Sequence, residues 1–207
     1  MATTAALLVR HAKSREATRV EASSSSSQAF GPNEPRTFRR LYQQDELPVR
    51  VVYSGHARRV GWLVDDILAL DLQYYVPVFV AAFREQDEPY GFLALHASLD
   101  VVTLAGPSRR ALTLGPLVNK PLKLALRSKL AAAAERGLLF LRAFVACDAQ
   151  SVGGNGLAAR VLDVEALVSA VQAAAAQHPR LKSLAVTTLT HHLRRSATAP
   201  RRRGSRH

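Results

Sequence analysis

Several places in this 207-residue chain carry side chains that could do chemistry. Asp65-Asp66 is a carboxylate pair of the kind used in acid–base or metal work, but nothing nearby completes a site. Capping a short helical turn is the simpler use for such a pair. His191-His192 falls late on an expected exposed helix, where adjacent histidines point in different directions, and no Glu stands at metalloprotease spacing. His96 reads as a core-edge histidine rather than a general base. Cys147 reads as a buried small side chain closing an apolar helix, with a reactive thiol as the alternative. Ser151-Val152-Gly153-Gly154-Asn155-Gly156 has the glycines of a phosphate-cradling loop. It lacks a following Lys-Ser or Lys-Thr and leaves a helix rather than a strand, so a helix C-cap and linker fits it better. No Gly-x-Ser-x-Gly elbow occurs. The expectation is a protein that is not an enzyme and uses no metal or cofactor.

The basic residues form the other chemical feature. Residues 1–35 carry four Lys/Arg against three Asp/Glu (+1), and residues 36–105 seven against nine (−2). Residues 106–207 carry seventeen against four (+13), so nearly all of the net +12 lies in the second half. Such asymmetry points to an acidic polymer or surface. Lys120, Lys123, Arg127 and Lys129 cluster around one helix end and its turn, preceded by Arg109-Arg110. A solvated face with cations at a helix C-terminus explains them as well as a docking surface does. Scarce compensating acids and the tail arginines Arg194, Arg195, Arg201, Arg202 and Arg203 favour docking. The aromatics sit mainly in the acidic half rather than among the cations, which shifts the expected partner from nucleic acid to an acidic protein surface.

The elements that position these residues begin with Leu70 to Phe92. Leu72, Tyr75, Val76, Phe79, Val80 and Phe83 fall at helical spacing, and Val78, Ala81 and Ala82 make the other side nearly as apolar. This predicts a central helix packed on more than one side, with Pro77 near its start and Pro89 beyond its end. Phe92, Leu95, Leu99 and Val102 predict the buried face of a second helix. Upstream, a short helix through Phe38, Leu41 and Tyr42 precedes strands at Pro48–Tyr53 and Arg58–Val64, with Trp62 or Tyr53 as the anchor of that hairpin. Downstream, the spacing predicts a helix from Pro116 to about Arg127 bearing Leu117, Pro121, Leu124 and Leu126, bent or restarted at Pro121. Ser128 begins a long helix to Cys147 through Leu130, Ala134, Leu138, Leu141 and Val145. Asp163 caps a helix with Val164, Leu167, Val168, Val171 and Ala175 on one face, and His178-Pro179 turns into a last helix through Leu181, Leu184, Ala185, Thr188 and Leu189.

Helix starts near positions 72, 116 and 163 give about three helix pairs spaced in the forties, which predicts a mainly α, HEAT/armadillo-like helical repeat with an N-terminal β-hairpin at about 48–64. The expected organisation is an arm over 1–35, a helical-repeat domain over 36–195 and a basic tail over 196–207. The arm, with its serine run Ser23 to Ser27, is expected to be disordered in solution and to order in an assembly. Its composition also resembles a mitochondrial presequence, weakened by Glu16 and Glu21. A single cysteine excludes an intrachain disulfide and suggests a reducing compartment. No apolar run has the length to span a bilayer, so no membrane partner is expected.

Pro35-Arg36-Thr37-Phe38-Arg39, Leu47-Pro48-Val49, Val60-Gly61-Trp62, Leu70-Asp71, Tyr75-Val76-Pro77-Val78-Phe79 and Pro89-Tyr90, in that order, resemble the parkin co-regulated protein family. Pro116-Leu117, Pro121-Leu122-Lys123, Ala125-Leu126 and Val152-Gly153 extend the resemblance, which covers 36–150 in detail and 151–195 in helical outline. It implies a structural protein of the ciliary or flagellar axoneme, at the inner junction where the A- and B-tubules of doublet microtubules meet. The implied partners are the α/β-tubulin lattice, a small β-rich junction protein and other microtubule inner proteins. Candidate tubulin contacts are then Arg10, Arg15 and Arg19 of the arm, Arg39, Arg40, Arg58 and Arg59 of the acidic half, and Arg109, Arg110, Lys120, Lys123, Arg127 and Lys129, with the arginine tail behind them. The Ala-rich second half and that tail depart from the family's pattern, leaving both a principal junction protein and a paralogue open. A soluble adaptor holding a partner protein in its groove is the alternative function.

Overall fold

The computed structural model describes residues 34–106, 108, 110–150 and 161–193, apart from the side chains of 148–150 and 191–193. The arm before residue 34, the glycine loop 151–156 and the arginine tail lie outside the described residues.

Helix α1 (Pro35–Gln43) opens on a proline, whose missing N–H costs nothing in the first turn, and buries Thr37, Phe38 and Leu41. The chain leaves it through Asp45 in the left-handed region (φ 54°), with Glu46 N–H donating to the Leu41 carbonyl at 2.8 Å. Strands β1 (Val49–Ser54) and β2 (Ala57–Trp62) pair antiparallel, Val49 opposite Trp62 and Ser54 opposite Ala57. Gly55 (φ 61°) opens the two-residue turn, the placement a II′ hairpin demands of glycine. Burial fades along the hairpin: Val49 is buried, Val51 half-buried and Tyr53 70% exposed. Trp62 is therefore the anchor. Its indole N–H donates to Asp100 Oδ2 at 3.0 Å and its ring meets Phe79 edge-on at 6.4 Å.

Asp66 caps a 3₁₀ turn (Ile67–Ala69) by accepting from Leu68 N–H, so one member of the carboxylate pair is used for capping. Asp71 caps α2 (Leu72–Ala81) by accepting from Tyr74 N–H at 3.1 Å. Both faces of α2 are buried, from Val76 and Phe79 on one side to Val78 and Ala81 on the other. Pro77 is the sixth residue of α2, in its interior rather than near its start. One ladder bond is lost there, and burial around the helix holds it together. A 3₁₀ turn (Ala82–Arg84) continues the axis.

Helix α3 (Tyr90–Ala105) buries Gly91, Ala94, Ala97, Ser98 and Ala105, with Leu93, Val101 and Val102. The expected face of Phe92, Leu95 and Leu99 is only half-buried. Small side chains let the helix approach its neighbours closely, and Phe92 lies beside the hairpin, with Arg58 over its ring at 4.9 Å. Helix α4 (Gly115–Leu126) passes through Pro121 as a single helix, without restarting. Its buried face is Val118, Pro121, Leu122, Ala125 and Leu126, whereas Leu117 and Leu124, expected inside, are 41% and 40% exposed.

Ser128 Oγ accepts from Leu130 N–H just before α5 (Ala131–Gln150), which buries Ala134, Leu138, Leu141 and Val145 as expected and Phe140, Phe144 and Cys147 besides. Asp163 caps α6 (Val164–Gln177) by accepting from Ala166 N–H. The buried residues of α6 are Leu167, Ala170, Val171 and Ala174, while Val164, Val168 and Ala175 are half-buried. The last helix is short: α7 (Lys182–Thr187) gives way to a π-helical turn (Thr188–Leu193).

The pairs α2–α3, α4–α5 and α6–α7 stack in two layers. First members pack in the order α2, α4, α6, and second members in the order α3, α5 and the π-turn. Mainly helical with one two-stranded hairpin, the described chain shares one apolar cluster across all three pairs. His178 Nε2 lies 2.9 Å from the Ser128 carbonyl oxygen, tying the turn of the third pair to that of the second.

Candidate functional site

The turns within the helix pairs are where charge collects. The first turn carries Glu85, Asp87 and Glu88, and arginines from three other elements converge on it. Arg39 of α1 donates to Glu85 Oε2 at 2.5 Å and Asp87 Oδ2 at 2.7 Å, and its guanidinium also lies 4.9 Å from the Tyr90 ring centre. Glu85 holds the Arg39 pKa above its ordinary value, with Asp87 adding to the effect. Arg58 of β2 donates to Glu88 Oε2 at 2.7 Å. Arg136 of α5 donates to the Phe83 and Glu85 carbonyls at 3.0 and 2.9 Å, satisfying backbone acceptors where the axis of α2 ends. Burial lowers the Arg136 pKa against the opposing pull of Glu88 and Glu135. Gly91 makes room for it, since a Cβ there would lie 2.3 Å from Arg136 Cζ. Beside this network an open groove of about 960 Å³ is lined by Arg36, Arg39, Arg40 and Arg84 together with Glu34, Glu85 and Asp87. Both signs face it, and Arg39 is already paired with Glu85 and Asp87.

The second turn is different. Arg127 and Lys129 flank Ser128, both exposed, and neither has an ion-pair partner among the described residues. Lys120 is exposed and equally open. Lys123 leans the other way and donates to Asp163 Oδ2 at 3.1 Å, a bond that lowers the Asp163 pKa. Asn119 reinforces that seam, donating to the Val161 carbonyl and accepting from Asp163 N–H. The cluster read from sequence thus divides: Lys120, Arg127 and Lys129 face solvent and Lys123 joins two helices. The third turn adds Arg180 and Lys182, both exposed and carried beside the second turn by the His178–Ser128 contact. Sequence reasoning missed these two because they lie more than fifty positions downstream; only the stacking of helix pairs could have suggested them.

Among the remaining candidates, Arg39 and Arg58 are engaged inside the chain, whereas Arg40, Arg59 and Arg110 are exposed. Arg10, Arg15, Arg19, Arg109, Arg194, Arg195, Arg201, Arg202 and Arg203 lie outside the described residues. Among the described residues, no group of three or more His, Cys, Asp or Glu side chains is placed to hold a metal ion, and no helix is long and apolar enough to cross a membrane. His96 is exposed with its ring tilted against Phe92, ring centres 4.5 Å apart, and Cys147 is buried.

Residues 36–159 match the family model described as Parkin co-regulated protein. A mouse (Mus musculus) relative, the Parkin coregulated gene protein homolog, is 30% identical over 95 residues, covering 46% of this chain and 38% of the relative. The matched stretch therefore spans well under half of that protein's length.

Proposed function

The chain belongs to the Parkin co-regulated protein family, and from that premise we propose that it is a structural protein of the ciliary or flagellar axoneme. It binds the α/β-tubulin lattice, bridges the A- and B-tubules at the inner junction of the doublet, and stabilises the doublet by shape and attraction rather than by reaction. Its neighbours there are a small β-rich junction protein and other microtubule inner proteins. The body of the brace is a HEAT/armadillo-like repeat: like helices pack on like through three successive pairs.

The observation that carries the reading is the set of open cations on the second turn. Lys120, Arg127 and Lys129 are solvent-facing and unmatched among the described residues, while Arg39, Arg58 and Arg136 close on acids or carbonyls of their own chain. Unmatched cations on a rigid edge suit an acidic lattice.

Co-sedimentation with polymerised tubulin tests it. Binding should weaken as salt rises, and replacing Lys120, Arg127 and Lys129 together by alanine should lower affinity about tenfold and flatten the salt dependence. Adding Lys123→Ala should change little more, because that side chain is turned towards Asp163. Undiminished binding by the triple variant would remove the cluster from the interface. In a ciliated cell the tagged chain should stay on detergent-extracted axonemes; a diffuse signal would favour the adaptor instead.

A further inference from the structure

Two leucines stand where the periodicity of α4 predicts core residues. Leu117 and Leu124 are 41% and 40% exposed, two turns apart on the outward side of one helix. Lys120 falls between them and Arg127 one turn beyond, both exposed. The opposite flank, carrying Asn119 and Lys123, is occupied by the seam with Val161 and Asp163. The leucines lie on the other side of the cationic crest, next to buried Pro121 and away from that seam. Scattered exposed leucines are ordinary. Two of them aligned along a helix, interleaved with cations that have no ion-pair partner among the described residues, form a strip with both apolar and charged character.

We infer that the Leu117–Lys120–Leu124–Arg127 strip is the docking site for an acidic amphipathic protein segment. The leucines receive its apolar side chains, and Lys120 and Arg127 pair with carboxylates on either side. Charge complementarity selects the occupant, because the strip presents only cations and a purely polar acidic tail would leave both leucines in water. This site deepens the lattice-binding reading, on which it rests for the identity of the acidic surface. It adds a contact that salt should not screen, since burial of apolar area does not weaken with ionic strength as Coulomb attraction does.

Fluorescence anisotropy on the full chain tests the strip directly. One probe is a labelled helical peptide bearing leucines two turns apart with glutamates between them, and the other is its equally charged companion with alanine at the leucine positions. The leucine peptide should bind about tenfold more tightly at physiological salt. Leu117→Ala with Leu124→Ala should erase that preference and leave the companion's binding unchanged. Lys120→Ala with Arg127→Ala should weaken both peptides. The leucines are 41% and 40% exposed, so the double alanine variant should melt only a few degrees below the parent and remain folded at the assay temperature, which a thermal scan checks. Equal binding of the two peptides, no binding of either, or a preference that survives in the leucine variant would overturn the inference. On microtubules the leucine variant should lose the salt-resistant fraction of binding. A parent chain that fails to pellet with microtubules yet distinguishes the peptides would sink the lattice reading and leave the strip standing.

Discussion

The first and second turns of the helix stack look alike as charge clusters and have opposite fates. At the first, Glu85, Asp87 and Glu88 gather Arg39, Arg58 and Arg136 from α1, β2 and α5. At the second, Arg127 and Lys129 stand exposed with Lys120 behind them and have no ion-pair partner among the described residues. The contrast shows that a cation's sequence context does not reveal whether it holds the chain together or is left for a partner. The first turn is structural, because its charges satisfy one another and the end of a helix. The second is available.

If that division is right, substitutions should separate stability from binding. Arg136→Met should have the largest effect, because the Phe83 and Glu85 carbonyls lose their donor in a largely buried setting. A loss of about 3 kcal/mol is expected from urea unfolding. A loss no greater than that of a surface substitution would mean the first turn is as loose as the second. Gly91→Ala should cost about 1–3 kcal/mol, since the new methyl must push the guanidinium aside. Combined with Arg136→Met its effect should shrink, because the obstacle is gone; simple additivity would show that Gly91 serves another purpose.

At the second turn, the Lys120, Arg127 and Lys129 alanine variant should stay within about 0.5 kcal/mol of the parent while microtubule binding falls. A pronounced destabilisation would instead make these cations structural. The smallest effect belongs to Asp163, whose pKa is lowered chiefly by the Lys123 hydrogen bond, with Ala166 N–H contributing. A depressed carboxylate pKa stabilises the fold above the unfolded value of about 4, and that contribution is lost as pH falls through the lower folded value. Asp163→Asn keeps a capping side chain but loses the ion pair. Its stability should therefore sit slightly below the parent's at neutral pH and converge with it in acid. A constant gap down to low pH would show that the cap, not the Lys123 pairing, sets the difference.

Much of the fold was legible in the sequence. Asp66 and Asp163 sit at the starts of a 3₁₀ turn and a helix because a short carboxylate satisfies the free N–H groups there, a local matter of a few residues; the cap at Asp71 came only with the structure. The hairpin followed from the alternation of Val49, Val51 and Tyr53 and of Val60, Trp62 and Val64 on either side of Gly55, and the dry central helix from its apolar run. Helix faces were less secure. In α3 the buried side is built from Gly91, Ala94, Ala97 and Ser98, small residues that carry little hydropathy signal, so the larger Phe92, Leu95 and Leu99 misled the reading. The error in α4 has the same origin, with Leu117 and Leu124 outshining Val118 and Ala125.

By itself, then, the chain's order of residues determined where helices and strands begin, how they pair in succession, and that positive charge gathers late. Those properties depend on neighbours a few positions away. Only the tertiary structure decided that Lys123 is held by Asp163, that Arg136 supports a helix end beside Gly91, and that two leucines face water beside open cations. The first two depend on groups brought together from some forty to fifty positions apart, and the third on which side of one helix its neighbours leave uncovered; packing, not spacing along the chain, chooses which charge meets a partner and which side of a helix is covered.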